Sequence, residues 1–298
     1  MSRPFNVPFA AGTHDRAAFR RRDDTWLEEA RQAPGTRILV VRASAQLLAS
    51  GAELGHLPPH AVPAGADVTF LGLDEDGQAV FVLDAGADGA ALPLPETTEF
   101  TELRTLAAAT PGGPAAIAAQ AVAMVGWHRR HRYCGICGSP TLPEEAGHSR
   151  RCTGCAAQHF PRTDPAVIML VTHGSSCVLS RRRGSRLPMW TALSGFVEPG
   201  ETPEDAVARE VHEEVGLTVS SVVYRGAQPW PFPLSLMLAF DAEAEYADLV
   251  VDEELEDARW FTRAELRAGV AAGAIAFPPP MSVAYHLVHD WLDSSAAD

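Results

Sequence analysis

Nothing in this sequence is apolar for long enough to cross a membrane, since no apolar run reaches about 18 residues. The first segment, Met1 to Arg22, is polar and has no apolar centre, so it does not read as a secretory signal, and a cytoplasmic location is the expectation. Cysteine is scarce: there are five in 298 residues. Without an export signal, the two Cys pairs point to metal rather than to disulfides. Positive charge is also in short supply, with 24 Lys and Arg against 38 Asp and Glu and a formal charge of −14. Such a surface argues against general nucleic-acid binding, which depends on Lys and Arg neutralising phosphates. Two local runs depart from this, His128-Arg129-Arg130-His131-Arg132 and Arg181-Arg182-Arg183 with Arg186; each suits contact with an anionic substrate, though each by itself reads more readily as a solvated face. No repeat of fixed period is present.

What is there suffices for real cores, because 46% of the chain is hydrophobic. Strand-like runs at Thr36–Val41, Val68–Leu73 and Ala79–Leu83, with a turn at Asp74-Glu75-Asp76-Gly77, precede an Ala-rich helix from Ala115 to Trp127. A second region begins near Pro161. It has strand-like runs at Ala166–Thr172, Cys177–Leu179, Leu234–Phe240 and Ala258–Phe261. A helix is expected over 203–215, and an amphipathic helix follows the Phe277-Pro278-Pro279-Pro280 break and ends near Trp291. Strands mixed among a few helices imply an α/β layered fold.

Between these regions stand Cys134-x2-Cys137 and Cys152-x2-Cys155, each pair beside glycine. Four thiolates at this spacing close a tetrahedron around Zn²⁺ and leave no open position, so the predicted site is structural, with one zinc per chain. Cys177 lies alone in an apolar run and reads as a small buried hydrophobe.

The segment Gly195–Leu217 carries the strongest chemical signal. Thr202 suits an N-cap, Pro203 the first helical position, Asp205 the capping-box acid and Gly216 the C-terminal stop. Ala206, Val207, Val211 and Val215 form an apolar stripe. Glu210, Glu213 and Glu214 fall one turn apart on a single face, where like charges and the helix dipole both oppose them. A hard divalent cation, Mg²⁺ or Mn²⁺, reverses that balance. Arg209 supplies one compensating charge and suits a residue that holds a glutamate in its ligating rotamer.

Gly195, five residues, Glu201, seven residues and Arg209-Glu210-Val211-x-Glu213-Glu214-x-Gly216-Leu217 match every fixed position of the Nudix box. By this motif the chain is identified as a member of the Nudix hydrolases, which use Mg²⁺ or Mn²⁺ to cleave nucleoside diphosphates linked to another moiety. Ala227-Gln228-Pro229-Trp230-Pro231-Phe232-Pro233-Leu234-Ser235 resembles the SQPWPFPxS array of the NADH pyrophosphatase and NAD-capped RNA hydrolase subfamily, with Ala227 in place of its first Ser. The cysteine ribbon and the Phe160-Pro161-Arg162-Thr163-Asp164-Pro165 entry fit the same subfamily. The alternating prolines also make physical sense, since they hold an extended segment that presents Gln228, Trp230, Phe232 and Ser235 to a ligand.

The resemblance implies an α/β (α+β) fold: a Nudix α/β/α sandwich at 161–298, a zinc ribbon at 128–160 and an N-terminal mixed α/β domain at 1–127. It implies that Glu210, Glu213, Glu214 and Glu254 bind about two or three catalytic ions together with the Ser194 carbonyl. Arg209 joins the glutamates as a catalytic candidate. Substrate contacts are implied for Gln228, Pro229, Trp230, Pro231, Phe232, Pro233, Leu234 and Ser235, for Phe160 and Phe196, for Ala284 through its backbone, and for Arg104 across a homodimer. The implied substrates are NADH, NAD⁺ and the NAD-capped 5′ end of RNA, cleaved to AMP and nicotinamide mononucleotide or uncapped. Which glutamate is the general base, which metal is used and which substrate is physiological stay open. The rival readings are a hydrolase of ADP-ribose or diadenosine polyphosphates that shares only the box, and a zinc-ribbon RNA-binding module.

Overall fold

A computed structural model describes residues 5, 7–10, 12–43, 45–63, 65–86, 92–110, 112–184 and 189–294. Contacts divide the chain into two units: Pro8–Thr163 with Trp230–Leu234, and Met1–Val7 with Asp164–Pro229 and Ser235–Asp298. Arg186 of the second basic run lies outside the described residues.

In the first unit, helix α1 (Asp24–Gln32) leads into strands β1 (Arg37–Arg42), β2 (Gln46–Ser50), β3 (Glu53–Leu54), β4 (Val68–Leu73), β5 (Ala79–Asp84) and β6 (Glu99–Glu102). Their order is β3-β2-β1-β5-β4, with β6 on β2. The pair β1–β5 is parallel and β4–β5 antiparallel. Alternate strand residues Ile38, Val40, Phe81 and Leu83 join Phe70 and Leu48 in one core. Helices α2 (Leu103–Ala109) and α3 (Gly113–Arg130) follow. Helix α3 extends past both ends of the expected Ala115–Trp127 span. Pro114 fits its first turn, and Trp127 is fully buried. The ribbon strands β7 (Thr141–Glu144), β8 (Ser149–Cys152) and β9 (Gln158–His159) form a three-stranded sheet in order β7-β8-β9, within the same unit.

The second unit contains β10 (Asp164–His173), β11 (Ser176–Arg182), β12 (Leu193–Phe196), α4 (Pro203–Val215), β13 (Val219–Trp230), β14 (Ser235–Ala244), β15 (Leu255–Thr262), α5 (Arg263–Ala271) and α6 (Val283–Asp293). Its sheet runs β13-β14-β10-β11-β15, with β12 also on β10. The period of two in β10 builds a sandwich: Val167, Met169 and Val171 pack with Val207, Val211 and Val215 of α4, while Ile168 and Leu170 pack with Leu266 of α5 and Val283, Leu287 and Val288 of α6. The three α4 valines are fully buried, each contributing roughly 1.5–3 kcal/mol, so a charged replacement at Val211 would break the layer. Cys177 is buried on β11, as its apolar run suggests, and burial pushes its thiol up to about 12. No helix among the described residues is long and apolar enough to span a membrane.

Candidate active site

Helix α4 starts and ends as its sequence dictates. Thr202 Oγ1 accepts the Asp205 amide and the Asp205 carboxylate accepts the Thr202 amide, closing a capping box. Gly216 ends the helix at φ +74°, where a side chain would be strained. With the apolar stripe fixed against β10, the glutamates are turned to the strand β12. Gly195 is what permits this: a Cβ there would lie 1.8 Å from the Glu210 carboxyl carbon.

Glu214 is only 4% exposed, and its Oε2 has no hydrogen-bond partner. Burial pushes its carboxyl up to about 7; Arg182 and the Ser194 amide oppose the shift, and Glu210 and Glu254 add to it. Burial also raises Glu210, against the pull of Arg209. Arg209 binds Glu201 through Nη2 at 2.6 Å and Nε at 3.1 Å, Glu210 and Glu213 through Nη1 at 2.9 Å each, and the Phe196 carbonyl at 2.8 Å. It therefore orders the cluster and does not stand free to meet a substrate. Glu254 and Glu213 are exposed, and Glu254 is close enough to act electrostatically on both Glu210 and Glu214. An orphaned buried carboxylate oxygen, two carboxyls raised by burial and mutual charge, and a glycine that keeps side-chain atoms away form an oxygen-rich donor set that fits a hard divalent cation.

The arginine run differs from the solvated face expected of it. Arg181 pairs with Glu256 at 2.9 Å. The Arg182 Nη2 donates to the Ser194 carbonyl at 3.0 Å. Arg183 donates to the Glu253 and Leu255 carbonyls, at 2.9 and 3.3 Å, and so anchors the backbone beside Glu254. A bulge between Arg181 and Arg182 changes the register against β15 and re-aims the chain. The sequence leaves Arg182 and Arg183 between a solvated face and an anionic contact; their position on an edge of the glutamate cluster comes from long-range pairing.

The Pro-aromatic array is not extended throughout. Gln228–Trp230 close β13, Pro231–Leu234 make a turn, and Ser235 opens β14, because the chain must reverse between neighbouring strands. Gln228 lies inside the fold. Its side chain is fully buried, with Nε2 donating to the Met281 carbonyl at 2.7 Å and Oε1 accepting the Val283 amide at 2.8 Å. The amide holds protein backbone in the segment leading to Ala284. Ala284 is buried, and its amide donates to Ser282 Oγ at 3.3 Å. Pro229 is half-buried and Pro231 buried, whereas Pro233 is exposed. Trp230 and Phe232 are half-exposed and meet edge to face at 5.2 Å, with Phe9 set against both. The guanidinium of Arg104 lies 4.3 Å from the Phe232 ring centre and 5.3 Å from that of Trp230 in the same chain, a cation–π contact its local sequence did not announce. Phe160 and Phe196, at 58% and 60% exposure, present open rings in their respective units.

In the ribbon the four Sγ atoms lie within 4.8 Å of one another, and all the cysteines are unpaired by disulfide. Amides of Ile136, Gly154 and Cys155 point at Cys134 or Cys152 sulfur at 3.3–3.4 Å. Hydrogen bonds from Ser139 pull the Cys137 thiol down to about 6. Sulfur donors already gathered and amides already aimed fit tetrahedral Zn²⁺.

With this geometry in place, comparison with known proteins is direct. Models of the NUDIX domain, the NADH pyrophosphatase-like rudimentary NUDIX domain and the NADH pyrophosphatase zinc ribbon domain match residues 162–279, 32–127 and 129–160. The chain belongs to the Nudix hydrolases, in the branch that joins a NADH pyrophosphatase-like domain and a zinc ribbon to the NUDIX domain. Within that branch it is 37% identical over 271 residues to the NAD-capped RNA hydrolase NudC of Deinococcus radiodurans, covering 87% of this chain and 89% of that protein. It is 42% identical over 192 residues to human NAD-capped RNA hydrolase NUDT12, covering 60% of this chain but only 42% of that protein. A crystal structure of a NUDIX hydrolase from Nitrosomonas europaea aligns over 54% of this chain and 90% of that one, at 21% identity and a TM-score of 0.44.

Proposed function

We propose that the protein hydrolyses the pyrophosphate bond of NADH or NAD⁺, giving AMP and nicotinamide mononucleotide, and removes NAD caps from RNA. The observation that carries this reading is the buried Glu214 with its unpartnered oxygen, set with Glu210 against the Gly195 turn. The relatives named for NAD-cap hydrolysis supply the substrate class.

Divalent cations, Mg²⁺ or Mn²⁺, supply charge that offsets the phosphoryl oxygens and activates water. Glu210, Glu213, Glu214 and Glu254, with the Ser194 carbonyl, are the residues that would hold them. Arg209 fixes the Glu210 and Glu213 carboxylates from behind. By the family resemblance Phe160, Phe196, Trp230 and Phe232 are substrate contacts, and each carries a ring face suited to an aromatic base. Gln228 serves the substrate indirectly, by holding the Met281–Val283 backbone ahead of Ala284. Zn²⁺ on Cys134, Cys137, Cys152 and Cys155 keeps the ribbon folded. The working form is a cytoplasmic homodimer, with domains at 1–127, 128–160 and 161–298.

Rates on NADH, NAD-capped RNA, ADP-ribose and diadenosine polyphosphates, with and without added divalent metal, test the proposal. Metal-dependent release of AMP from NADH and removal of the cap, both faster than ADP-ribose cleavage, are expected. Preference for ADP-ribose or a diadenosine polyphosphate would replace the substrate assignment while leaving the glutamate cluster in place. Metal-independent RNA binding without cleavage would remove both.

A further inference from the structure

The N-terminal unit contains a cavity of about 770 Å³, walled by β4 and β5, the end of α3 and the ribbon. Three features set it apart. First, three carboxylates that line it are taken up by arginines: Asp84 by Arg129, Glu144 by Arg151 and Glu145 by Arg22. Among the described residues, no carboxylate lies within ion-pair distance of Arg132 or Arg150, which both line the cavity.

Second, Arg150 is buried and its hydrogen bonds go only to neutral groups, with Asp67 acting on it electrostatically. It donates to Thr141 Oγ1 and the Thr141 carbonyl at 2.7 Å each, and to His128 Nδ1 at 2.8 Å. That bond requires an unprotonated His128 nitrogen. The other ring nitrogen lies 3.1 Å from Thr69 Oγ1. Burial and then the Arg150 charge push His128 down to about 4, so the histidine stays neutral and the guanidinium keeps its charge. Third, Tyr133 on the cavity wall is 68% exposed, an open aromatic ring beside Arg132.

The exposed Arg132 guanidinium suits a phosphate, Arg150 adds positive charge close enough to act on it electrostatically, and an exposed ring matches a base. Asp24 and Asp67 also line the wall. They limit the charge the cavity accepts to a single phosphate held between Arg132 and Arg150, not a dense polyanion.

We propose that this cavity is a second nucleotide-binding subsite, which takes one nucleotide of a single-stranded RNA with its base on Tyr133 and its phosphate at Arg132 and Arg150. The choice of RNA as ligand rests on the proposed function.

The test is fluorescence anisotropy of the zinc-loaded wild-type protein with an uncapped single-stranded RNA, which needs no turnover. Arg132 and Tyr133 are both exposed, so Arg132→Ala and Tyr133→Ala should fold, and zinc content verifies it. Each should weaken binding about tenfold, and wild-type affinity should fall with salt. Arg31→Ala, which removes an arginine paired with Glu28 elsewhere in the unit, should leave binding unchanged. Inorganic phosphate should compete weakly against wild type and not against Arg132→Ala. No RNA binding by wild type, or equal binding by all three variants, would overturn the proposal. Loss of NADH hydrolysis in wild type would overturn only the catalytic reading.

Discussion

The protein has two metal-directed clusters built on opposite physical terms. In the ribbon, four cysteine sulfurs sit within 4.8 Å of one another, held by local turns and by amides aimed at sulfur. The glutamates of α4 share one helix face, yet among the described residues only the cysteines gather that tightly. Glu210 and Glu213 are instead turned toward Arg209, and Glu214 is buried with one oxygen unpartnered. A closed thiolate set serves structure. A spread carboxylate set, held by a guanidinium and kept open, leaves room for substrate oxygens.

That contrast can be broken at several points. Glu214→Gln removes the buried anion and should lower turnover on the order of 10³-fold, about 4 kcal/mol of barrier, with zinc content unchanged by elemental analysis. Cys152→Ser does the reverse. Zinc should be lost and thermal unfolding should shift down, since metal binding is folding energy in such small ribbons.

Arg209→Lys sharpens the question of what holds the open cluster. A lysine cannot reproduce the paired contacts to Glu201, so Mn²⁺ affinity should fall roughly 10–100-fold by calorimetry. Acid should also separate the clusters. Glu214, held near 7 by burial, is protonated below that value, so Mn²⁺ affinity should drop by up to about tenfold per pH unit below 7. Acid should further weaken the first unit. Burial is the main cause that lowers His128 and His148 to about 4. The unfolded chain takes up protons first, near 6.5, so stability should decline between about 6.5 and 4 and level off below. The loss is on the order of 2 kcal/mol per histidine, read by denaturant melts across pH. The smallest effect is expected from Arg104→Ala, which loses a cation–π contact of about 0.5–1 kcal/mol and should raise the NADH KM by a few-fold.

Much of this was legible in the chain. The capping box, the apolar stripe and the Gly216 stop specify α4 by local rules, and the helix bounds 203–215 follow from them. The cysteine spacing likewise reports short-range turns. Arg182 and Arg183 were not legible, because their roles come from pairing of β11 with β15 and from contacts across about 12 to 70 positions. The backbone contacts of Gln228 were not legible for the same reason. An amide in an aromatic, Pro-rich array suggests a ligand contact, yet its partners are Met281 and Val283, more than 50 positions away.

The most direct test of the two-cluster account is to count both metals in one preparation. Wild type and Glu214→Gln are purified, zinc is measured by elemental analysis, and Mn²⁺ binding is followed by electron paramagnetic resonance. The account predicts one zinc per chain in both proteins, with Mn²⁺ binding strongly weakened only in Glu214→Gln. Undiminished Mn²⁺ binding in the variant, or loss of its zinc, would contradict the account.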